Sequence, residues 1–153
     1  MSEQQSAVPV PYGAGWDAWA RWAETMPVSQ QIGLRCVSIE YGRAELVVDR
    51  SEWPLNPNGA VHGGSVIACA DHCFGIVGST VLDAEHVPAT ATLTADFLRP
   101  ATPPLTFLAE VDRFGRTLAF ITVTVLNGKG KVATKVSGTM VIDGSSRFQP
   151  APR

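Results

Sequence analysis

The stretch from residue 56 to residue 75, NPNGAVHGGSVIACADHCFG, contains the side chain best suited to catalysis. Its only carboxylate, Asp71, stands among apolar neighbours, where an unpaired buried charge costs several kcal/mol. Desolvation raises the pKa of such a carboxyl toward the range that serves base catalysis. A helical Asp that faces solvent, or that pairs with a neighbour such as His72, is the structural alternative. The pattern indicates a candidate general base and leaves this alternative open.

Two glycines, Gly63 and Gly64, lead into the apolar run that contains Asp71. If this run is a helix, its first turn has unpaired backbone N–H groups and a partial positive charge. Glycines also let a ligand approach the backbone closely. Such a helix start suits an anion or a developing oxyanion. A tight turn with no role in binding would use the same glycines.

The spacing of these two features has a consequence for the assembly. Gly63 and Asp71 are eight residues apart, which is about 12 Å along a helix. A thioester or ester carbonyl cannot lie within hydrogen-bonding reach of both, because that reach is about 3 Å. If both act on one carbonyl, they must come from different copies of the chain. The spacing therefore predicts an active site at a two-fold dimer interface.

Other catalytic patterns do not occur in the sequence. Ser65 follows two glycines, but Ile67 stands where a Gly-x-Ser-x-Gly motif needs its last glycine. The three histidines show no metal-binding spacing, and the sequence has no phosphate-binding glycine motif. Three cysteines are an odd number without a CxxC pair, which argues against a disulfide framework or a zinc site. We therefore predict neither a metal nor a cofactor.

Composition restricts the class of protein. The 153 residues fit one domain, and 45% hydrophobic with 17% charged residues excludes intrinsic disorder. No apolar run reaches the length of a membrane span. A net charge of −2 without a basic run argues against nucleic-acid binding. The first residues lack the basic and apolar regions of a secretory signal. We expect a soluble, cytoplasmic domain.

The first part of the chain predicts an arm, a helix and a hairpin. Residues 1–14 are rich in Pro, Gly and polar side chains and predict a flexible arm. Residues 15–27 place three tryptophans on one face of a short amphipathic helix, namely Trp16, Trp19 and Trp22. Such a stripe more often packs on the domain's own sheet or on a second subunit than it lines an aromatic ligand site. QIGLRCVSIEYGRAELVVD predicts two strands around Tyr41–Gly42.

The rest of the chain predicts one helix and four strands. A Pro- and Gly-rich loop over residues 51–64 precedes an apolar run over 65–82, whose side chains are apolar on nearly every face and predict a buried helix. Strands follow at 89–98, 105–113, 117–126 and 131–142, the last two joined by a hairpin at Asn127–Gly128. An antiparallel sheet wrapped around the helix would bury it, which is an α+β fold. We predict one domain over 15–143 and a loose tail over 144–153.

Several motifs together resemble the hotdog-fold acyl-CoA thioesterases, in the branch named for the phenylacetate-pathway thioesterase PaaI. The matching features are Asn56 and Gly59 before HGG, ACAD ending at Asp71, ATATLTADFLRPA over 89–101 and VDRFGR over 111–116. The resemblance extends from about residue 31 to residue 142. The Trp-rich helix lies outside it.

The resemblance implies a fold, an assembly and roles for individual residues. It implies that the helix lies in a curved sheet, that two subunits join edge to edge, and that two dimers form a tetramer. Asp71 matches the family's general base or nucleophile, and the Gly63 N–H matches the group that polarises the thioester carbonyl. Asn56 matches a loop residue that holds the thioester or the attacking water, and Thr90 a hydroxyl that orients this water. The resemblance also places His62, Gly64, Arg99, Arg113 and Arg116 at the substrate or CoA. His62 is expected to order its loop, and the three arginines are the candidates for contact with the CoA phosphates.

These inferences predict an acyl-CoA thioesterase that converts an aromatic or medium-chain acyl-CoA to the free acid and CoA. An acyl-carrier protein is an alternative to CoA. A non-catalytic protein that binds acyl-CoA or an aromatic ligand on the same fold is the competing class. An interaction module that uses the Trp stripe is a third. Burial of a carboxylate beside a neutral thioester favours the enzyme.

Overall fold

Three helices and six strands make up residues 8–49 and 52–144, the part of the chain that this computed structural model describes. In chain order they are α1 (Trp16–Thr25), α2 (Pro27–Ile32), β1 (Leu34–Glu40), β2 (Arg43–Val48), α3 (Gly63–Ser79), β3 (His86–Phe97), β4 (Leu105–Phe114), β5 (Leu118–Leu126) and β6 (Val132–Gly144). In this part of the chain no helix is long and apolar enough to cross a membrane.

The six strands form one antiparallel sheet in the order β1-β2-β4-β5-β6-β3. The predicted hairpin between β5 and β6 is confirmed, and Asn127 closes it because its Oδ1 accepts hydrogen bonds from the N–H groups of Lys129 and Lys131 at 3.0 and 3.1 Å. β3 pairs with β6 and not with β4, its neighbour along the chain. β1 and β3 therefore form the two edges of the sheet.

α3 lies against the concave face of this sheet, as the prediction of a helix inside a curved sheet requires. Its residues Phe74, Val77 and Cys73 are fully buried, and it contacts strands β2 to β6. Gly138 on β6 makes room for the helix, because a side chain there would overlap the Phe74 ring. The predicted hotdog fold is confirmed.

The Trp-rich segment differs from the single predicted helix over 15–27. It forms α1 and α2, which meet at an extended Met26, because the following Pro27 disfavours a helical conformation for the residue before it. Trp19 and Trp22 are buried, whereas Trp16 is 41% exposed. Because α1 contacts β1, the stripe packs mainly on the chain's own sheet.

The segment before α1 also contacts the domain. Val8, Val10 and Tyr12 are partly buried against the core, and the Tyr12 ring meets the Trp19 ring edge-on at 5.5 Å. Apolar side chains at alternate positions explain this packing, which differs from a flexible arm over residues 8–14. Residues 1–7 of the predicted arm and 145–153 of the predicted tail lie outside the described residues. The domain limits stay predictions.

Candidate active site

Asp71 lies in α3, and a hydrogen bond joins it to β3. The Thr90 hydroxyl donates to Asp71 Oδ1 at 2.6 Å. Ala70, Cys73 and Phe74 are buried, whereas Asp71 lies at the border of the buried face of the helix, beside β3. Its side chain is exposed in the protomer. The expectation that Asp71 is buried among its apolar neighbours in sequence is therefore wrong for the single protomer.

His72 does not form the pair with Asp71 that its position suggested. Its Nε2 lies 2.7 Å from the hydroxyl of Ser29 on α2, and Ser29 is fully buried. Burial lowers the pKa of His72, although the charge of Asp71 acts in the opposite direction. His72 therefore ties α3 to α2. No group of three His, Cys, Asp or Glu side chains within the described ranges is placed to hold a metal ion.

α3 begins at Gly63, and the N–H groups of its first turn differ in their hydrogen-bond partners. His62 caps the helix, and its Nδ1 accepts a hydrogen bond from the Gly64 N–H at 3.0 Å. The N–H groups of Ser65 and Val66 bond to the His62 carbonyl oxygen. No described residue accepts a hydrogen bond from the Gly63 N–H. Gly63 therefore presents a free donor at the positive end of the helix dipole.

The separation of Gly63 and Asp71 in the folded chain is the one that their spacing in the sequence predicts. α3 is continuous from Gly63 to Ser79, so Gly63 and Asp71 are separated by about 12 Å along one helix. A single protomer cannot bring the two to one carbonyl group.

Asn56 orders the loop that precedes α3. Its Oδ1 accepts hydrogen bonds from the N–H groups of Asn58 and Ala60 at 2.9 and 3.2 Å, and the backbone of Asn56 also bonds to Ala60. Gly59 has φ +78°, which suits glycine at this turn. The side-chain oxygen is therefore used within the loop. The side-chain NH₂ has no partner among the described residues and can donate to a ligand.

A cleft of about 360 Å³ brings several predicted positions together at the start of α3. Its lining includes Asn56, Gly63 and Arg99. Phe97 and Leu98, which the sequence did not single out, also line it and are 54% and 53% exposed. The Phe97 ring lies over Gly63, since a Cβ built on Gly63 would be 3.1 Å from it. The sequence signal for Phe97 and Leu98 is that two large apolar residues follow each other at the end of the threonine-rich strand β3.

The other two arginines lie at the far end of the sheet. Arg113 is near the end of β4, and Arg116 is in the turn from β4 to β5. This turn is level with the start of β3, with β6 between them, because Val141 of β6 pairs with Leu118 on one side and with Ala89 on the other. Arg99 follows the end of β3 and donates to the Val132 carbonyl at 2.9 Å. Of the three predicted arginines, Arg99 alone lines the cleft with Gly63 in one protomer.

Comparisons with known proteins agree with this architecture. The family model of the thioesterase superfamily matches residues 58–134, half of the chain. A protein of Deinococcus radiodurans, provisionally named an esterase, is 29% identical over 122 residues, which are 78% of this chain and 81% of that protein. A protein of Sulfurisphaera tokodaii with the same provisional name is 30% identical over 108 residues, 70% of this chain and 80% of that protein.

Solved structures share the fold. A thioesterase family protein of Silicibacter pomeroyi has a TM-score of 0.73 and 25% identity and covers 84% of this chain and 98% of its own. PaaI of E. coli, from the phenylacetic acid degradation operon, has a TM-score of 0.73 and 21% identity over 85% of this chain and 97% of its own. A hypothetical thioesterase of Streptococcus pneumoniae, solved with coenzyme A, has a TM-score of 0.65 and 24% identity over 72% of this chain and 86% of its own.

The matched region contains Gly63, Asp71, Thr90 and Arg99, and Asn56 lies just before it. The central helix, the sheet around it and the sequence match all point to one family. The chain belongs to the thioesterase superfamily and is a thioester hydrolase with the hotdog fold.

Proposed function

We propose that this thioesterase hydrolyses aromatic or medium-chain acyl-CoA at a site shared by two subunits. In this proposal Asp71 of one subunit and the Gly63 N–H of the other act on the same thioester. The observation that carries it is the separation of a free N–H donor and a hydrogen-bonded carboxylate along one continuous helix. A shared site brings both to one carbonyl.

The position of β3 supports the shared site. This strand of twelve residues is an edge of the sheet, with Thr90 beside Asp71 and Phe97 over Gly63. A long open edge favours pairing with another strand. If two copies of β3 pair antiparallel around an axis midway between Thr90 and Phe97, each Thr90 faces the partner's Phe97. Each Asp71 then lies near the Gly63 of the other subunit.

In the proposed hydrolysis, the Gly63 N–H and the Asp71 carboxylate have separate roles. The Gly63 N–H, at the positive end of α3, polarises the thioester carbonyl and stabilises the oxyanion that forms when it is attacked. Asp71 takes a proton from water, which attacks the carbonyl carbon. The tetrahedral intermediate then expels the CoA thiolate, which takes the proton from Asp71. In the alternative mechanism, the Asp71 carboxylate attacks the thioester carbonyl and the CoA thiolate leaves, and water then hydrolyses the acyl-enzyme and supplies the proton for the thiolate.

Thr90 supports the role of Asp71 as a base. Its hydroxyl donates to Oδ1, so Oδ2 remains available to take a proton, while the lone pairs of the hydroxyl oxygen can accept a hydrogen bond from the water. One hydrogen bond from Thr90 thereby fixes the carboxylate and one from the water fixes the nucleophile.

The lining of the cleft and one similar solved structure support CoA as the carrier of the acyl group. The S. pneumoniae structure contains coenzyme A, and Arg99 lines the same cleft as Gly63. An arginine suits a phosphate of CoA. Antiparallel pairing through β3 would also bring the partner's Arg113 and Arg116 to this end of the joined sheet. The same arrangement would accept the phosphopantetheine of an acyl-carrier protein.

The proposed tetramer has a candidate surface on the outer face of the sheet. Leu118 and Phe120 on β5 are 39% and 43% exposed there. A second dimer could cover these side chains. Light scattering of the purified protein measures this directly, and a particle of two subunits contradicts the tetramer without affecting the shared site.

Replacement of Thr90 by Val is expected to lower kcat about 10- to 100-fold, because it removes one hydrogen bond to a charged group, which is worth about 1.5–3 kcal/mol, and keeps the side-chain shape. Thr90→Ser is the matched control and is expected to retain most of the activity. The measurement is CoA release at saturating acyl-CoA with a thiol-reactive chromophore. Equal rates for the two variants would contradict a role for the hydroxyl.

A panel of acyl-CoA thioesters tests the proposed activity. We expect CoA release from at least one aromatic or medium-chain member, with acetyl-CoA as the short reference. The competing class, a binding protein, predicts a higher melting temperature with acyl-CoA and no CoA release. That result would overturn the proposal.

A further inference from the structure

A second cavity, of about 450 Å³, lies between α3, the start of β3 and residues 8–26, which we call the N-terminal segment. Its lining is predominantly apolar. From the N-terminal side Val10, Tyr12, Trp22 and Met26 contribute to the wall. These four residues lie outside the region that the family model matches. The N-terminal segment therefore encloses a space that the rest of the fold leaves open.

This cavity begins next to the proposed catalytic pair. Gly75 in its wall is one helical turn after Asp71 and lies on the same face of α3. Pro88 in its wall is two residues before Thr90 and lies on the same face of β3. A Cβ at Gly75 would meet no atom within 4 Å. The passage from Asp71 into the cavity is therefore open at Gly75.

The far end of the cavity is polar. Ser79, also in the wall, is eight residues after Asp71, which is about 12 Å along α3. His86 and Tyr12 contribute polar groups at this end, and His86 Nδ1 lies 2.6 Å from Asp83 Oδ1. Burial and the nearby charge of Asp83 raise the pKa of Tyr12, so its hydroxyl stays protonated and can donate. The cavity thus combines an apolar body with hydrogen-bonding groups at its end.

Its size suits a medium-length acyl group. The volume is about three times that of a 150 Å³ apolar cavity, which binds benzene. A two- or four-carbon acyl group would leave the far end unfilled.

We infer that this cavity is the acyl pocket and that the N-terminal segment of the chain selects acyl groups by their reach. The preferred substrate has a medium-length apolar acyl chain with a hydrogen-bonding atom at its far end. This inference rests on the proposed acyl-CoA hydrolysis and adds the substrate class. Tyr12 and the residues around Ala84 determine specificity in it, because they form the end of the pocket.

Filling the far end tests the inference. Ala84 lines this end and is exposed in the loop before β3, so Ala84→Trp can fill the pocket without disturbing the core. We expect kcat/KM for octanoyl-CoA to fall at least tenfold (~1.4 kcal/mol) and that for butyryl-CoA to stay within about twofold. Ala14→Trp, at an exposed position outside the pocket, is the matched control and should change neither value.

A second variant tests the polar end alone. Tyr12→Phe removes one hydroxyl and keeps the ring that packs on Trp19. With 8-hydroxyoctanoyl-CoA we expect kcat/KM to fall about fivefold, as for loss of one hydrogen bond, while octanoyl-CoA is unaffected.

The outcomes separate this inference from the proposed function. If Ala84→Trp slows both chain lengths equally, or neither, the pocket is not where the acyl chain lies, and the hydrolase proposal stands. A wild-type enzyme that hydrolyses only butyryl-CoA also overturns the inference. If the wild type releases CoA from no thioester in the panel, the proposed function and the inference both fail.

Discussion

Replacement of Asp71 by Asn is expected to lower kcat by about a hundredfold or more, with KM nearly unchanged. Asn keeps the shape of Asp and an oxygen that can accept the Thr90 hydroxyl, which lies 2.6 Å from Oδ1 in the native protein. What it loses is the second carboxylate oxygen, which in the proposed mechanism takes the proton from water. Binding should persist because the thioester contacts Asp71 through water alone. CoA release under saturating acyl-CoA gives kcat.

Two controls make this result specific. Asp17→Asn removes a carboxylate that is exposed on α1 and pairs with Arg21, and it should leave kcat unchanged. Light scattering should show the same particle for Asp71→Asn as for the wild type. Near-normal turnover by Asp71→Asn would remove Asp71 from the mechanism, whether as base or as nucleophile.

Replacement of Gly63 by Pro should lower kcat about 10²- to 10³-fold, the usual effect of removing one oxyanion donor. Proline has no backbone N–H, and the first position of a helix tolerates it. The preceding His62 has φ −54° and ψ 132°, a conformation that is compatible with a following proline. The substitution therefore removes the donor and keeps the helix start.

Gly63→Ala is the matched control because it keeps the N–H. Its Cβ would approach the Phe97 ring to 3.1 Å, and the exposed ring can move away. We expect Gly63→Ala to retain kcat within about tenfold of the wild type and both variants to melt near the wild-type temperature. Equal activity of the Pro and Ala variants would show that the Gly63 N–H does not stabilise the oxyanion.

The elements of the fold could be predicted because their signals are local. The apolar run after HGG predicts the buried α3, and Asn127–Gly128 predicts the last hairpin, since each depends on side chains a few residues apart. The order of the strands depends on contacts between distant segments. The placement of β3 beside β6, at the edge of the sheet, could not be deduced from the alternation within β3 itself.

The site was predictable to a different extent for each residue. The separation of Gly63 and Asp71 follows from the helix rise, which holds for any sequence. The exposure of Asp71 does not follow from its apolar neighbours, because it depends on which face of α3 the sheet covers. Phe97 over Gly63 and the cavity behind Gly75 arise where segments far apart in the chain meet. Part of the N-terminal wall of that cavity, Val10 and Tyr12, comes from residues whose composition predicted an arm.

The most direct test of the shared site mixes two inactive variants. Asp71→Asn and Gly63→Pro chains are co-expressed with different affinity tags, and the particles that contain both are purified. In a mixed dimer, one site combines both defects, and the other combines the intact Asp71 with the intact Gly63 N–H of the partner. A shared site predicts recovery of about half the wild-type activity per dimer. If each subunit contains a complete site, the mixed particles will remain as inactive as the separate variants, and the account of a site between subunits will be wrong.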